Sequence, residues 1–304
     1  MRHTVKREKI LFKALLILIL PLSLLLSGTG LSAPIKPPHV YQKLSALDGL
    51  VSLMCEEMGK SCQSTPVIAV SGATPREVYS LVRWGLLERA NRFTLEMVQF
   101  PHARAIPPTG TPKPTDVFQL VSLATDQLQL VADRMGGIPS VSTPPLDWNK
   151  KPTDVLSLAM EVSAKLDVML ATKISPSEVY QLLSVARQYV RILDDGKPQE
   201  LPPLVRKKRP GEIYQQLQLL FAEIEQLSHR RKLNILTLSQ EGEGKRIGPG
   251  HVYNLAALTL AELKQLVIQA GKEQDIANNY PGRKSPSHVN QLVQLLLSRV
   301  RTIQ

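Results

Sequence analysis

Ser175-Pro176-Ser177-Glu178-Val179-Tyr180-Gln181-Leu182-Leu183 has the make-up of a helix start. Ser175 can cap free backbone N–H groups, and Pro176 takes the first helical position, where its missing N–H is not needed. Glu178 is placed to complete a capping box. The pattern occurs eight times. The first four copies open at Lys36-Pro37, Thr74-Pro75, Lys113-Pro114 and Lys151-Pro152, and the last four at Ser175-Pro176, Arg209-Pro210, Gly248-Pro249 and Ser285-Pro286. Each places Pro three residues before a β-branched residue, usually followed by an aromatic. Apolar residues then recur at spacings of three and four, as in Val117, Leu120, Val121, Ala124, Leu128 and Val131, which predicts a helix after every start.

The β-branched residues Val40, Val78, Val117, Val155, Val179, Ile213, Val252 and Val289 are separated by 38, 39, 38, 24, 34, 39 and 37 residues. The short step divides four copies from four. It predicts an all-α protein of two tandem four-helix bundles, at about 34–172 and 173–304, related by internal duplication. Leu170–Pro176 leaves room only for a tight turn, so the fourth and fifth helices are expected to form an antiparallel hairpin.

The other connections, such as GGIPSVSTPPLDWNK at 136–150, are long and rich in Pro, Gly and Ser. An extended stretch of that length reaches roughly 40–50 Å, enough to run back along a helix. Parallel helices joined by return crossovers are therefore expected, with Val67, Ile68, Val70 and Ile138 pinning the crossovers. An up-down bundle with loose loops is the alternative.

Residues 1–33 read as an export signal. Arg2, Lys6, Arg7 and Lys9 precede an apolar run from Leu15 to Leu26, and small residues follow to Ala33. Pro21 interrupts the run, which is short for a membrane span; an uncleaved anchor is the other reading. A periplasmic or secreted protein is expected. These 33 residues carry five Lys/Arg and one Glu, so about +7 of the formal +11 belongs to the rest. Arg206-Lys207-Lys208-Arg209 and Arg230-Arg231-Lys232 concentrate that charge and suit an anionic envelope component or acidic partner, or simply a solvated linker. Nucleic acid is not expected, because no aromatics are interleaved with the basic residues.

Cys55 and Cys62 are the cysteines of an exported chain. Seven residues of continuous helix would hold them roughly 10 Å apart, so a disulfide requires the first helix to end between them, and Gly59 is placed to end it.

Neither a phosphate loop, a nucleophile elbow nor a metal-binding His pair is present, and no catalytic residue, metal or cofactor is expected. His39, His251 and His288 share one repeat position. Tyr41, Tyr79, Phe118, Tyr180, Tyr214 and Tyr253 share another. If the helix starts converge, these rings could line a small-ligand site; otherwise the first group caps helices and the second packs against neighbours. Trp148, inside a crossover, is a candidate partner contact together with Arg206, Lys207, Lys208 and Arg209. The sequence thus suggests a non-catalytic exported protein that binds an envelope protein or anionic envelope component, with a small-ligand sensor or carrier as the alternative.

Overall fold

A computed structural model of the chain describes residues 34–62, 68–239, 247–274, 276–277 and 279–303. Residues 1–33, expected to be an export signal, and Val67 lie outside the described residues. The protein is all-α, with eight helices among the described residues: α1 (Pro37–Glu57), α2 (75–98), α3 (Pro114–Met135), α4 (Pro152–Met169), α5 (Pro176–Leu193), α6 (Pro210–Arg230), α7 (Pro249–Gln269) and α8 (Pro286–Thr302). α2 consists of α-helical Pro75–Ser80, a π-helical segment Leu81–Leu87 and α-helical Glu88–Val98. No described helix is long and apolar enough to cross a membrane.

Every helix begins the same way for the same reason. Proline occupies the first turn, where its fixed φ fits, and the residue before it is extended, with φ between −119° and −90°. The side chain at the third helical position then turns back and accepts the N–H of that extended residue. Glu77 does this for Thr74 at 2.6 Å, Asp116 for Lys113 at 2.6 Å, Asp154 for Lys151 at 2.7 Å, Glu178 for Ser175 at 2.8 Å and Glu212 for Arg209 at 2.9 Å.

α1, α3, α2 and α4 pack side by side in that cyclic order, and α5, α7, α6 and α8 repeat it. Within each set the helices are parallel. The proline and β-branched residues Pro37, Val40, Pro75, Val78, Pro114, Val117, Pro152 and Val155 meet at one centre. At the other end, Lys60, just past α1, donates to the carbonyl of Met169 at the end of α4 at 2.7 Å. In the second set, Lys284 N donates to Ser177 Oγ at 2.9 Å and Lys208 N to Ser287 Oγ at 3.3 Å, so the starts of α5, α6 and α8 lie together. Lys272, past α7, reaches the Ile192 carbonyl near the end of α5 at 3.4 Å, and Arg230 of α6 reaches that of Ile303 past α8 at 3.3 Å. Four aligned helix dipoles repel one another, and the first-turn carboxylates Glu77, Asp116 and Asp154, or Glu178 and Glu212, oppose that repulsion.

Parallel neighbours need return crossovers. The chain at 136–151 passes back along α1: a Cβ on Gly49 would sit 3.0 Å from Val141 Cγ1, Gln42 Nε2 donates to the Pro144 carbonyl at 2.8 Å, and Trp148 meets His39. The chain at 99–113 returns along α2, where the Asn91 amide takes both the N–H (2.8 Å) and the C=O (3.0 Å) of Ala103. Pro202 is held by Gln291 of α8 at 2.6 Å. Ile68 is buried, and Val70 and Ile138 pack against the core.

The two sets run in opposite directions, but α4 and α5 are not the hairpin expected from their short connection. Contact between the sets is carried mainly by α2 against α7, with α4 also touching α7 and Arg92 of α2 pairing with Glu178 at the start of α5. Ser80 Oγ donates to the Ala257 carbonyl at 2.8 Å and Arg89 Nη2 to that of Gly250 at 3.2 Å, so these two helices are antiparallel. The reason lies in the turn, which docks on α2 instead of closing α4 onto α5. Glu96 accepts the N–H groups of Ala171 and Thr172 at 3.0 Å, and Arg92 binds the carbonyls of Thr172 and Lys173. A short antiparallel pair, β1 (Ala69–Ser71) with β2 (Thr237–Ser239), ties the crossover before α2 to the one before α7.

Candidate functional site

The residues singled out in the repeat are dispersed. His39, His251 and His288 each accept the N–H of the residue before their proline through Nδ1, at 3.0, 3.0 and 3.1 Å from Lys36, Gly248 and Ser285. They fill the role that carboxylates fill in the other copies. Among the described residues no three His, Cys, Asp or Glu side chains gather where they could hold a metal ion.

The aromatics do not line the centre where the first four helices start. That centre is walled by Pro and Val side chains and keeps about 10 Å³ of space, no more than one water needs. Each aromatic is one residue beyond a core Val or Ile, about 100° further round the helix, so it points to a flank. Tyr41 lies under the Lys150 ammonium at 4.5 Å and Tyr180 under that of Lys284 at 4.9 Å. Phe118 packs half-buried against the core. Tyr79, Tyr214 and Tyr253 are buried, and burial pushes all three phenols above their ordinary range.

Trp148 is 63% exposed, yet it is held. Asp147 accepts the N–H of Asn149 at 3.0 Å to form a side-chain turn, the His39 ring stands edge-on at 5.4 Å, and Lys36 Nζ lies 5.9 Å from the indole. Arg206, Lys207 and Arg209 are exposed, next to the exposed apolar residues Leu201, Leu204 and Val205. Lys208 is half-buried and paired with Glu212 at 2.7 Å. Cys55 and Cys62 are bonded, with Cα atoms 6.2 Å apart. α1 stops before Gly59, whose φ of 63° lets the N–H groups of Gly59 and Lys60 turn back to Glu56 and Cys55.

The cleft with the most chemistry was not singled out by the repeat. It lies between α2 and the chain returning beside it, has a volume of about 650 Å³, and is lined from α2 by Arg83, Trp84, Glu88 and Asn91 and from the crossover by His102 and Arg104. The Arg83 guanidinium stacks on Trp84, 4.6 Å from the ring centre. Burial pushes the Glu88 carboxyl above its usual range, against the pull of His102, Arg83 and Arg92. The π segment supplies Arg83, Trp84 and Leu87. Its inner side carries Gly85, where a Cβ would come within 3.2 Å of Asn254 Oδ1 on α7. Apolar spacing alone could not flag this site, because LVRWGLL at 81–87 carries the same periodicity as its flanks; the one sequence signal is a glycine in mid-helix.

A second polar centre is built around a buried arginine. Arg89 is completely buried. It forks onto Asp167 of α4 (Nε–Oδ1 2.8 Å, Nη2–Oδ2 3.0 Å), donates to the Gly85 carbonyl at 2.6 Å and reaches that of Gly250 at the start of α7. Nearby, Arg76 pairs with Glu77 and with Glu262 of α7, the latter at 2.9 Å. Burial and the neighbouring Glu77 hold the Glu262 carboxyl well above its ordinary value. With its ion pairs and main-chain bonds satisfied, the arginine centre is a joint between helices, not a place for a substrate.

No family model, curated protein or solved structure matches this chain.

Proposed function

We propose that this is an exported, non-catalytic helical repeat protein that binds a protein or anionic component of the cell envelope, the two four-helix sets being copies of one ancestral unit. The observation that carries the reading is Trp148. A large apolar ring fixed in the open by a turn and an edge-on histidine, with Lys36 beside it, is the composition of an interface anchor. The exposed Leu201, Leu204 and Val205 beside Arg206, Lys207 and Arg209 offer a second contact of the same kind. The first-turn carboxylates and histidines are engaged in capping, which accounts for their presence without catalysis.

The test is capture of envelope components on the immobilised protein across a range of salt. The reading predicts a retained partner that elutes with salt, is lost from Trp148→Ala by about tenfold or more, and weakens when Arg206, Lys207 and Arg209 are changed to Ser. Retention by both variants equal to that of the parent would refute it.

A further inference from the structure

We propose that the cleft between the π segment of α2 and the returning chain at 101–105 binds a small organic anion with a flat face, a carboxylate or phosphate carried on an aromatic ring. Three independent observations meet there. The first is size and form. About 650 Å³ lies in the range of small-molecule sites, and the outer wall is fixed in advance, because Asn91 holds both backbone groups of Ala103. The site therefore needs little ordering when a ligand arrives.

The second is the state of the polar groups. The Arg83 fork is pre-oriented by stacking on Trp84. Arg104 and His102 on the opposite wall form no hydrogen bond or ion pair with any described residue, nor does the Glu88 carboxyl or the Trp84 indole N–H. With both arginines charged and Glu88 ionised the lining carries a net +1 before His102 is counted. Planar donors facing an open space match a carboxylate or phosphate, and the indole offers a face and an N–H for a ring.

The third is the backbone. Leu81–Leu87 is π-helical, the one such segment among the described residues. π segments are rare and are frequent at functional sites. A comparable cleft of about 520 Å³ at the end of α5 lacks all this: it has no aromatic lining, and its Arg187 is already bound to Gln199 at 3.2 and 2.9 Å.

The protein has two tryptophans, so its indole N–H signals report the cleft directly, with Trp148→Phe assigning the Trp84 signal. Phenyl phosphate, benzoate, inorganic phosphate and benzylamine are titrated against the labelled protein. The expected result is a saturable shift of the Trp84 signal, and not of the Trp148 signal, with phenyl phosphate or benzoate. Inorganic phosphate should bind more weakly, and benzylamine should give no shift. Arg83→Gln and Arg104→Gln should each weaken binding at least about tenfold, or about 1.4 kcal/mol. Arg104 is exposed, so its replacement leaves the fold intact and keeps the test decisive if Arg83→Gln proves unstable. No saturable Trp84 shift up to about 10 mM of either aromatic anion, equal binding of benzylamine, inorganic phosphate as tight as phenyl phosphate, or unchanged affinity in Arg104→Gln would each overturn the proposal.

Discussion

Gly250 is the residue on which the Arg89 centre closes. A Cβ there would overlap Asp167 Oδ2 and crowd Arg89 Nη2; Asp167 can turn toward water, but the completely buried Arg89 would then lose its carboxylate partner. Because Asp167 keeps access to water, the cost is that of a buried donor group left without its acceptor, about 1–3 kcal/mol. Gly250→Ala is therefore expected to lower stability by that order in denaturant unfolding, whereas Gly211→Ala, at the same repeat position with only Ile247 nearby, should cost under about 1 kcal/mol. A related argument concerns His251. Burial holds its imidazole below the ordinary histidine value, opposed by Asp167 and reinforced by Arg89. Only the neutral ring can accept the Gly248 N–H. The unfolded chain binds the proton more readily, so stability is complete above about pH 6.5 and falls as the pH drops toward the folded value. His251→Gln keeps an acceptor that does not titrate. Melting curves at pH 7.5 and 5.5 should show the variant losing less stability than the parent, by about 1 kcal/mol, the worth of a cap.

At the scale of elements, the helix starts were legible because proline, the β-branched residue and the first-turn acceptor all act locally. Their positions in the chain determine them whatever packs nearby. The return crossovers were legible from length alone, since a helix of about 20 residues spans roughly 30 Å and a shorter extended chain covers it. What stayed hidden depends on how separate segments fold onto one another. The cleft needs the crossover at 101–105 to turn back against 83–91, and the Arg89 centre and the β1–β2 pair join residues far apart in sequence. The α4–α5 hairpin was misread for the same reason: Glu96 and Arg92, far from the turn in sequence, capture it. The polar residue two beyond the core Val or Ile could have been read, as Gln42 and Gln291 both use it to hold a crossover proline carbonyl, at 2.8 and 2.6 Å. Gln42→Leu should release the strap on α1. Hydrogen exchange at residues 138–149 is expected to quicken while α1 and α4 stay protected, at a stability cost of about 1 kcal/mol. Unchanged exchange there would show that the strap is held by other means.

For the whole molecule, two sets of parallel helices facing opposite ways resolve an electrostatic difficulty. Each set gathers four positive helix ends, and reversing one set places the starts of the second near the later half of α2, not beside the starts of the first. The joint between them is polar and largely buried, with Arg76, Glu77 and Glu262 at one level and Arg89, Asp167 and Gly250 at the other. Helix direction within a set is the claim on which the rest depends, because parallel helices require the crossovers that carry Trp148, the basic run and the outer wall of the cleft. Pulsed electron-spin distances between nitroxides on α1 and α3, at introduced cysteines with the native disulfide kept, test it most directly. The account predicts short distances, about 10–20 Å, for the pair of starts Lys36 and Thr115 and for the pair of ends Glu57 and Arg134, and about 30 Å for Lys36 with Arg134. A short Lys36–Arg134 distance with long start-to-start and end-to-end distances would contradict it.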